Sequence, residues 1–154
     1  MIVALDTDVL IDLLRGRSPQ VRARMSELHE RGDELVMSSI VLYELTRAAL
    51  RSARPELHLN EIDALVERIE VVSLSGDDAL TAARVQVELE RAGQGIGVFD
   101  RLIAGQAFAR DWSLVTGNLW EFARVEGLRL LDWSNPDEVV SITGGLSWFR
   151  PPPR

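Results

Sequence analysis

Asp6, Glu44, Asp100 and Glu121 are acids that the chain sets beside apolar residues rather than among other charges. Asp6 closes the apolar run Ile2-Val3-Ala4-Leu5. Glu44 follows Ile40 and Val41 and precedes Ala48, and Asp100 stands between Phe99 and Leu102-Ile103-Ala104. Residues three and four apart share a helix face, so Glu44 lies beside an apolar stripe. A carboxylate in that position is costly unless it is paired, protonated or bound to a cation. Several acids in one crevice raise each other's pKa, and a hard divalent ion with oxygen ligands, Mg²⁺ or Mn²⁺, relieves the repulsion. Such a site can hydrolyse a phosphodiester by activating water and neutralising phosphate charge, with two ions about 4 Å apart in the usual arrangement. Plainer roles exist for the same residues. Asp6 or Thr7 can cap a helix, Glu44 can pair with Arg47 or Arg51 on the surface, and Asp100 can answer a helix dipole.

Composition narrows the chemistry. There is no Cys, and the two His are far apart at His29 and His58, which excludes disulfides, a thiol nucleophile and cysteine- or histidine-rich metal sites. All 17 basic residues are Arg. The absence of Lys removes phosphate-loop and Schiff-base mechanisms. A net charge of −7 argues against nucleic-acid binding by bulk attraction, though not against carboxylates that recruit cations. With 154 residues and 46% hydrophobic content, one domain with a sizeable core is expected. The apolar start carries Asp6, Asp8 and Asp12 and no basic leader. No run is long enough to span a bilayer, so a cytoplasmic protein is expected.

The elements that must position these acids follow from periodicity and caps. Ile2 to Leu5 reads as a buried central strand of a parallel sheet, with Asp6 at its carboxyl end, the edge where ligands bind in open α/β sheets. A helix follows from Val9 to Leu14. Ser18-Pro19 starts another that runs to about Gly32. Leu35 to Ser38 is a second strand, after which Ser39 caps a helix from Ile40 to Ser52. Ala53 to Asn60, with Pro55, reads as a turn before a helix capped by Asn60 and ending near Ile69. Val71 to Leu74 is the third strand, and a long helix spans Asp77 to Arg91. The glycine loop Gly93-Gln94-Gly95-Ile96-Gly97 leads to a helix from Val98 to Asp111. Ser113 to Gly117 is the fourth strand, Leu119 to Val125 a short helix and Leu128 to Leu131 the fifth strand. Thr116, Asn118 and Glu121 thereby arrive at the same edge as Asp6. Alternating strands and helices imply right-handed crossovers and a sheet covered on both faces.

Leu5-Asp6-Thr7-Asp8-Val9-Leu10-Ile11-Asp12, Ser39 with Tyr43-Glu44-Leu45, Phe99-Asp100-Arg101-Leu102-Ile103-Ala104, Leu114-Val115-Thr116-Gly117-Asn118 with Glu121-Phe122, and Gly127-Leu128 through Trp133 resemble, in order and spacing, the PIN-domain ribonucleases. Within these they are most similar to VapC-type toxins of toxin–antitoxin pairs. The resemblance spans Met1 to Trp133. It implies a three-layer α/β/α sandwich with a central parallel sheet, Mg²⁺- or Mn²⁺-dependent RNA cleavage, a homodimer and inhibition by a small cognate antitoxin. Asp6, Glu44 and Asp100 match the three principal metal-binding acids and Glu121 a fourth, more variable one. Thr7, Ser39, Thr116 and Asn118 match supporting polar positions, and Asp8 stands where Asn is frequent. Residues 134–154 form an extension outside the pattern, expected to pack loosely or on a dimer or partner surface.

Asp6-Thr7-Asp8-Val9 also resembles the nucleophile motif of haloacid-dehalogenase-type phosphatases, and receiver domains share an acidic pocket. Both rely on a lysine that is absent here. A housekeeping RNA-processing nuclease and a non-catalytic RNA- or protein-binding module remain as alternatives. Arg15, Arg17, Arg22 and Arg24 read as solvated surface rather than a phosphate patch, and Trp112, Trp120 and Tyr43 as core or interface residues rather than stacking platforms.

Overall fold

A computed structural model describes residues 1–134. The expected extension therefore lies, from residue 135 onward, outside the described residues. Five parallel strands form one sheet: β1 (Ile2–Leu5), β2 (Glu34–Ser38), β3 (Glu70–Val72), β4 (Ser113–Val115) and β5 (Arg129–Leu131), in the order β3-β2-β1-β4-β5. Strand β1 is central because it is apolar on both faces. Val3, Ala4 and Leu5 are all buried, and Leu5 pairs with Val115 of β4 while Ala4 pairs with Val36 of β2.

The connections are helical: α1 (Thr7–Leu14), α2 (Pro19–Glu30), α3 (Ser39–Leu50), α4 (Pro55–Val66), α5 (Gly76–Arg91), α6 (Val98–Ala109) and α7 (Leu119–Phe122). Right-handed crossovers run outward from β1 to β3, then return across the sheet to β4 and β5, so helices cover both faces. This is the expected three-layer sandwich. The sheet order reverses between β1 and β4, which makes the strand carboxyl ends there the edge at which open α/β sheets form a ligand crevice.

Several boundaries differ from the sequence expectation: β3 is Glu70–Val72 rather than Val71 to Leu74, β4 stops at Val115, α1 starts at Thr7 and α7 stops at Phe122. Pro55 does not mark a turn before a helix at Asn60; it is the first residue of α4, where its missing N–H costs nothing. Ser38, rather than Ser39, caps α3, accepting from Ile40 N at 3.1 Å. Ser39 is left free to face the next strand exit, and its Oγ accepts from Leu74 N at 3.2 Å.

Helix α6 sits unusually deep. A Cβ built on Gly105 would lie 2.4 Å from Ala82 Cα, so the backbones of α5 and α6 meet where no side chain fits between them. The N-terminus of α5 is tied to the far end of α6 by Asp78. This buried carboxylate closes a capping box with Ser75 and takes a forked bond from Arg110, with Arg110 Nη2 at 2.9 Å. Gln106, also buried, adds an amide bond to Ser73 O at 3.1 Å. The helix that carries Asp100 is thus held along its carboxyl-terminal half.

Candidate active site

Each expected acid arrives at the crevice from a different element. Asp6 caps α1 with its Oδ1 accepting from Thr7 N at 2.8 Å, so the plain capping role is real. Its second oxygen is committed elsewhere: Oδ2 accepts from Thr116 Oγ1 at 2.7 Å, across the point where the strand order reverses. Glu44 on α3 is half-buried, and its Oε1 accepts from Thr7 Oγ1 at 2.8 Å. Among the described residues no ion pair joins it to Arg47 or Arg51. Asp100, in the first turn of α6, accepts from Asn118 Nδ2 at 3.2 Å. Glu121 on α7 accepts from the backbone N–H of Gly97 at 3.2 Å.

Every acid therefore has its own donor. Thr7 serves Glu44, Thr116 serves Asp6, Asn118 serves Asp100, and Gly97 serves Glu121. Asn118 N also donates to Thr116 Oγ1 at 3.0 Å, which fixes the hydroxyl that serves Asp6. Among the described residues Ser39 Oγ accepts from Leu74 N and bonds no acid.

Asp8 is the acid that the sequence left without a role. Its Oδ2 accepts from Gly117 N at 2.9 Å, which turns the carboxylate toward Asp6. A Cβ on Gly117 would stand 2.6 Å from that oxygen, so the contact needs glycine there. The Asp-Thr-Asp spacing and the glycine after Thr116 are the only sequence traces of this pairing, and neither is decisive alone.

The electrostatics follow from crowding. Burial, then the neighbouring Asp8 charge, pushes the Asp6 carboxyl up to about 7, against the opposing bonds from Thr116 and Thr7 N. Burial, then contact with Glu121 and the charge of Glu44, likewise pushes Asp100 up to about 7. Glu121 moves down, chiefly because Asp100 donates to it. Asp8 is raised by burial despite bonds from Val9 and Gly117 N–H groups and from Asp6. Crowding thus favours a proton on Asp6, beside the charge of Asp8, and on Asp100, beside that of Glu121.

A cation can replace these protons. The donors are carboxylate oxygens without nitrogen or sulfur, which suits Mg²⁺ or Mn²⁺. Gly97 keeps the space beside one pair clear, since a Cβ there would approach Asp100 Oδ2 to 3.4 Å and Glu121 Oε2 to 3.8 Å. Among the described residues no three of these side chains converge as a finished ligand cage. Mg²⁺ keeps several waters and is usually held through one or two carboxylates, so paired acids suffice for it.

The chain matches the PIN domain model over residues 3–128. It belongs to the PIN-domain family. Its similarity is to the VapC-type members: this PIN domain is 38% identical over 130 residues to the tRNA(fMet)-specific endonuclease VapC of Shigella flexneri, covering 84% of this chain and 96% of that protein. It is 32% identical over 133 residues to ribonuclease VapC2 of Rickettsia felis, covering 86% of this chain and 98% of that one. Among solved structures it resembles VapBC2 from Rickettsia felis bound to a DNA fragment from its promoter, with a TM-score of 0.82 and 30% identity over 86% of this PIN domain and 99% of that chain. VapBC-1 from nontypeable Haemophilus influenzae gives 0.81 and 33%, over 88% and 100%. Among the described residues no helix of this PIN domain is long and apolar enough to cross a membrane.

Proposed function

We propose that this chain is a divalent-metal-dependent endoribonuclease, the toxin of a toxin–antitoxin pair, which hydrolyses RNA phosphodiester bonds with metal-activated water. The observation that carries this reading is the pairing of carboxyls at the sheet's switch point, each with a dedicated donor. Like charges so arranged are unfavourable until a proton or a cation lies between them. Asp6, Glu44, Asp100 and Glu121 would hold Mg²⁺ or Mn²⁺, with Asp8 beside Asp6. When bound, the cation supplies charge neutralisation at the scissile phosphate and a water acidic enough to attack near neutral pH.

The chain's own residues do the positioning. Thr116 and Thr7 N fix both oxygens of Asp6, Thr7 Oγ1 turns Glu44 inward from α3, and Asn118 holds Asp100 at the mouth of α6. Glu121 is kept ionised chiefly by Asp100, with the Gly97 N–H and Arg124 adding to this, and so offers a charged oxygen beside Asp100. The absence of Lys and Cys leaves no protein nucleophile of those types, in keeping with attack by water. The names of the relatives support RNA as substrate and a VapB-like antitoxin as partner. A homodimer and a cytoplasmic location belong to the same reading.

The test is cleavage of total cellular RNA by the purified chain with Mg²⁺, with Mn²⁺ and with EDTA, mapping the ends produced. Discrete cuts that need the metal support the reading. A folded, inhibitor-free chain that cuts nothing under either metal favours a binding module instead.

A further inference from the structure

Helices α3 and α6 bring Glu44 and Asp100 close enough for their charges to interact, and one residue earlier on each helix stands an aromatic ring. The rings of Tyr43 and Phe99 lie 5.2 Å apart and tilted by 52°. Both are exposed, Tyr43 at 51% and Phe99 at 37%, and neither belongs to the core. The same step recurs on α7, where Trp120, 40% exposed, precedes Glu121 and lies under the Arg124 guanidinium at 5.0 Å. Of the core or interface roles expected from sequence, exposure removes the core role for Tyr43 and Trp120, whereas Trp112, at 5%, belongs to the core.

The ring-to-ring contact joins α3 to α6 one residue from Glu44 and one residue from Asp100, the acids of the proposed reaction. A cation bound by the carboxylates would hold the phosphate, and the base beside that phosphate is left to uncharged contacts. Every base has a π-face, and stacking on aromatic side chains is how unpaired bases are held without sequence readout. Bases inside a duplex show no free face, so the same geometry selects single-stranded or splayed nucleotides.

Resting on the ribonuclease reading above, we propose that the Tyr43–Phe99 pair is a stacking platform for the unpaired base next to the phosphate held at the carboxylates. The platform commits the site to single-stranded segments such as loops and ends, and makes Tyr43 and Phe99 binding residues rather than catalytic ones.

The test uses the full chain carrying Asp6→Asn, to block turnover, and a single-stranded oligoribonucleotide with 2-aminopurine beside the cut site. Binding is expected to quench the 2-aminopurine. Tyr43→Leu and Phe99→Leu, which keep apolar bulk and lose the π-face, are expected to weaken binding about ten-fold and to remove the quench. Tyr43→Phe is expected to retain both. In the otherwise wild-type chain the leucine variants raise KM more than they lower kcat. Quenching and affinity untouched by the leucine variants overturn the platform, as does tight binding with no quench, or no binding at all. Leucine variants that leave RNA binding intact but dissociate a homodimer or release a protein partner overturn it too, by assigning the rings to a protein interface. A chain that binds and quenches but never cuts overturns the ribonuclease reading and leaves the platform supported.

Discussion

Thr116 Oγ1 donates to Asp6 Oδ2 at 2.7 Å, joining β4 to β1 where the strand order reverses. The bond spans 110 residues of sequence and is buried, so Asp6 is aimed by a strand folded far from it. Asn118 N holds the Thr116 hydroxyl in turn. Groups that orient a metal ligand typically carry 10–100-fold of affinity or activity. Thr116→Val should therefore lower metal affinity and cleavage by about 10–100-fold and cost about 1–3 kcal/mol of stability by leaving a buried Asp6 oxygen without its donor, whereas Thr116→Ser should keep all three. Metal titration and cleavage rates on the two variants check this.

Protonation supplies a second prediction. Asp6 and Asp100 titrate at about 7 in the folded chain, against 3.8 for an unperturbed carboxyl. Between those values the folded chain holds more protons than the unfolded one, so ionisation there costs stability as pH rises. In EDTA the thermal midpoint should gain less from these groups as pH climbs from about 4 to about 7, and Asp6→Asn should flatten that decline. Mn²⁺ must displace the protons, so its stabilising shift should be larger at about pH 8 than at about pH 5. An Mn²⁺ shift that is independent of pH contradicts the pairing of the carboxyls.

The Asp78–Arg110 pair behaves with the opposite sign. Burial raises the Asp78 carboxyl, but the bonds from Arg110 and Ser75 outweigh it and the net shift is downward. Its stability contribution is present above the unfolded pKa of 3.8 and is lost as pH falls through the lower folded value. Arg110→Ala should cost about 2 kcal/mol near neutral pH, below the range for a fully buried pair because Arg110 is partly in solvent. The cost should shrink in acid, which denaturant melts at several pH values would show.

Gly105 sets the depth of α6. Gly105→Ala places a Cβ against the Ala82 backbone, and overpacking of this kind typically costs about 1–3 kcal/mol. Because α6 carries Asp100, the variant should also lose metal affinity. A melt unchanged from wild type contradicts the close approach.

Much of this architecture is legible from local pattern. The apolar run before Asp6 marks the central strand, Ser18-Pro19 marks the start of α2, and the apolar spacing around Glu44 and Asp100 turns both toward the crevice rather than to solvent. What stays hidden depends on distant partners. Asp8 is fixed only once Gly117 arrives 109 residues later, and Asp78, beyond its local cap with Ser75, gains its ion pair only once Arg110 does, 32 residues on. Pro55 misled for a different reason: the same residue that breaks a helix interior is favoured at its first position, and only the following chain decides which applies. Ser38 and Ser39 are equally good caps by type, and the choice fell to the one whose backbone stays extended, at φ −66° and ψ 146°.

The proposed role of Asp6, Glu44 and Asp100 is to hold a divalent ion at the switch point of the sheet. Its most direct test is Mg²⁺-dependent cleavage of one defined single-stranded RNA by the wild-type chain and by Asp6→Asn, Glu44→Gln and Asp100→Asn, each first shown to melt cooperatively. Cleavage by wild type alone is the predicted result, with Glu121→Gln retaining partial activity. Undiminished cleavage by all three variants would contradict the account.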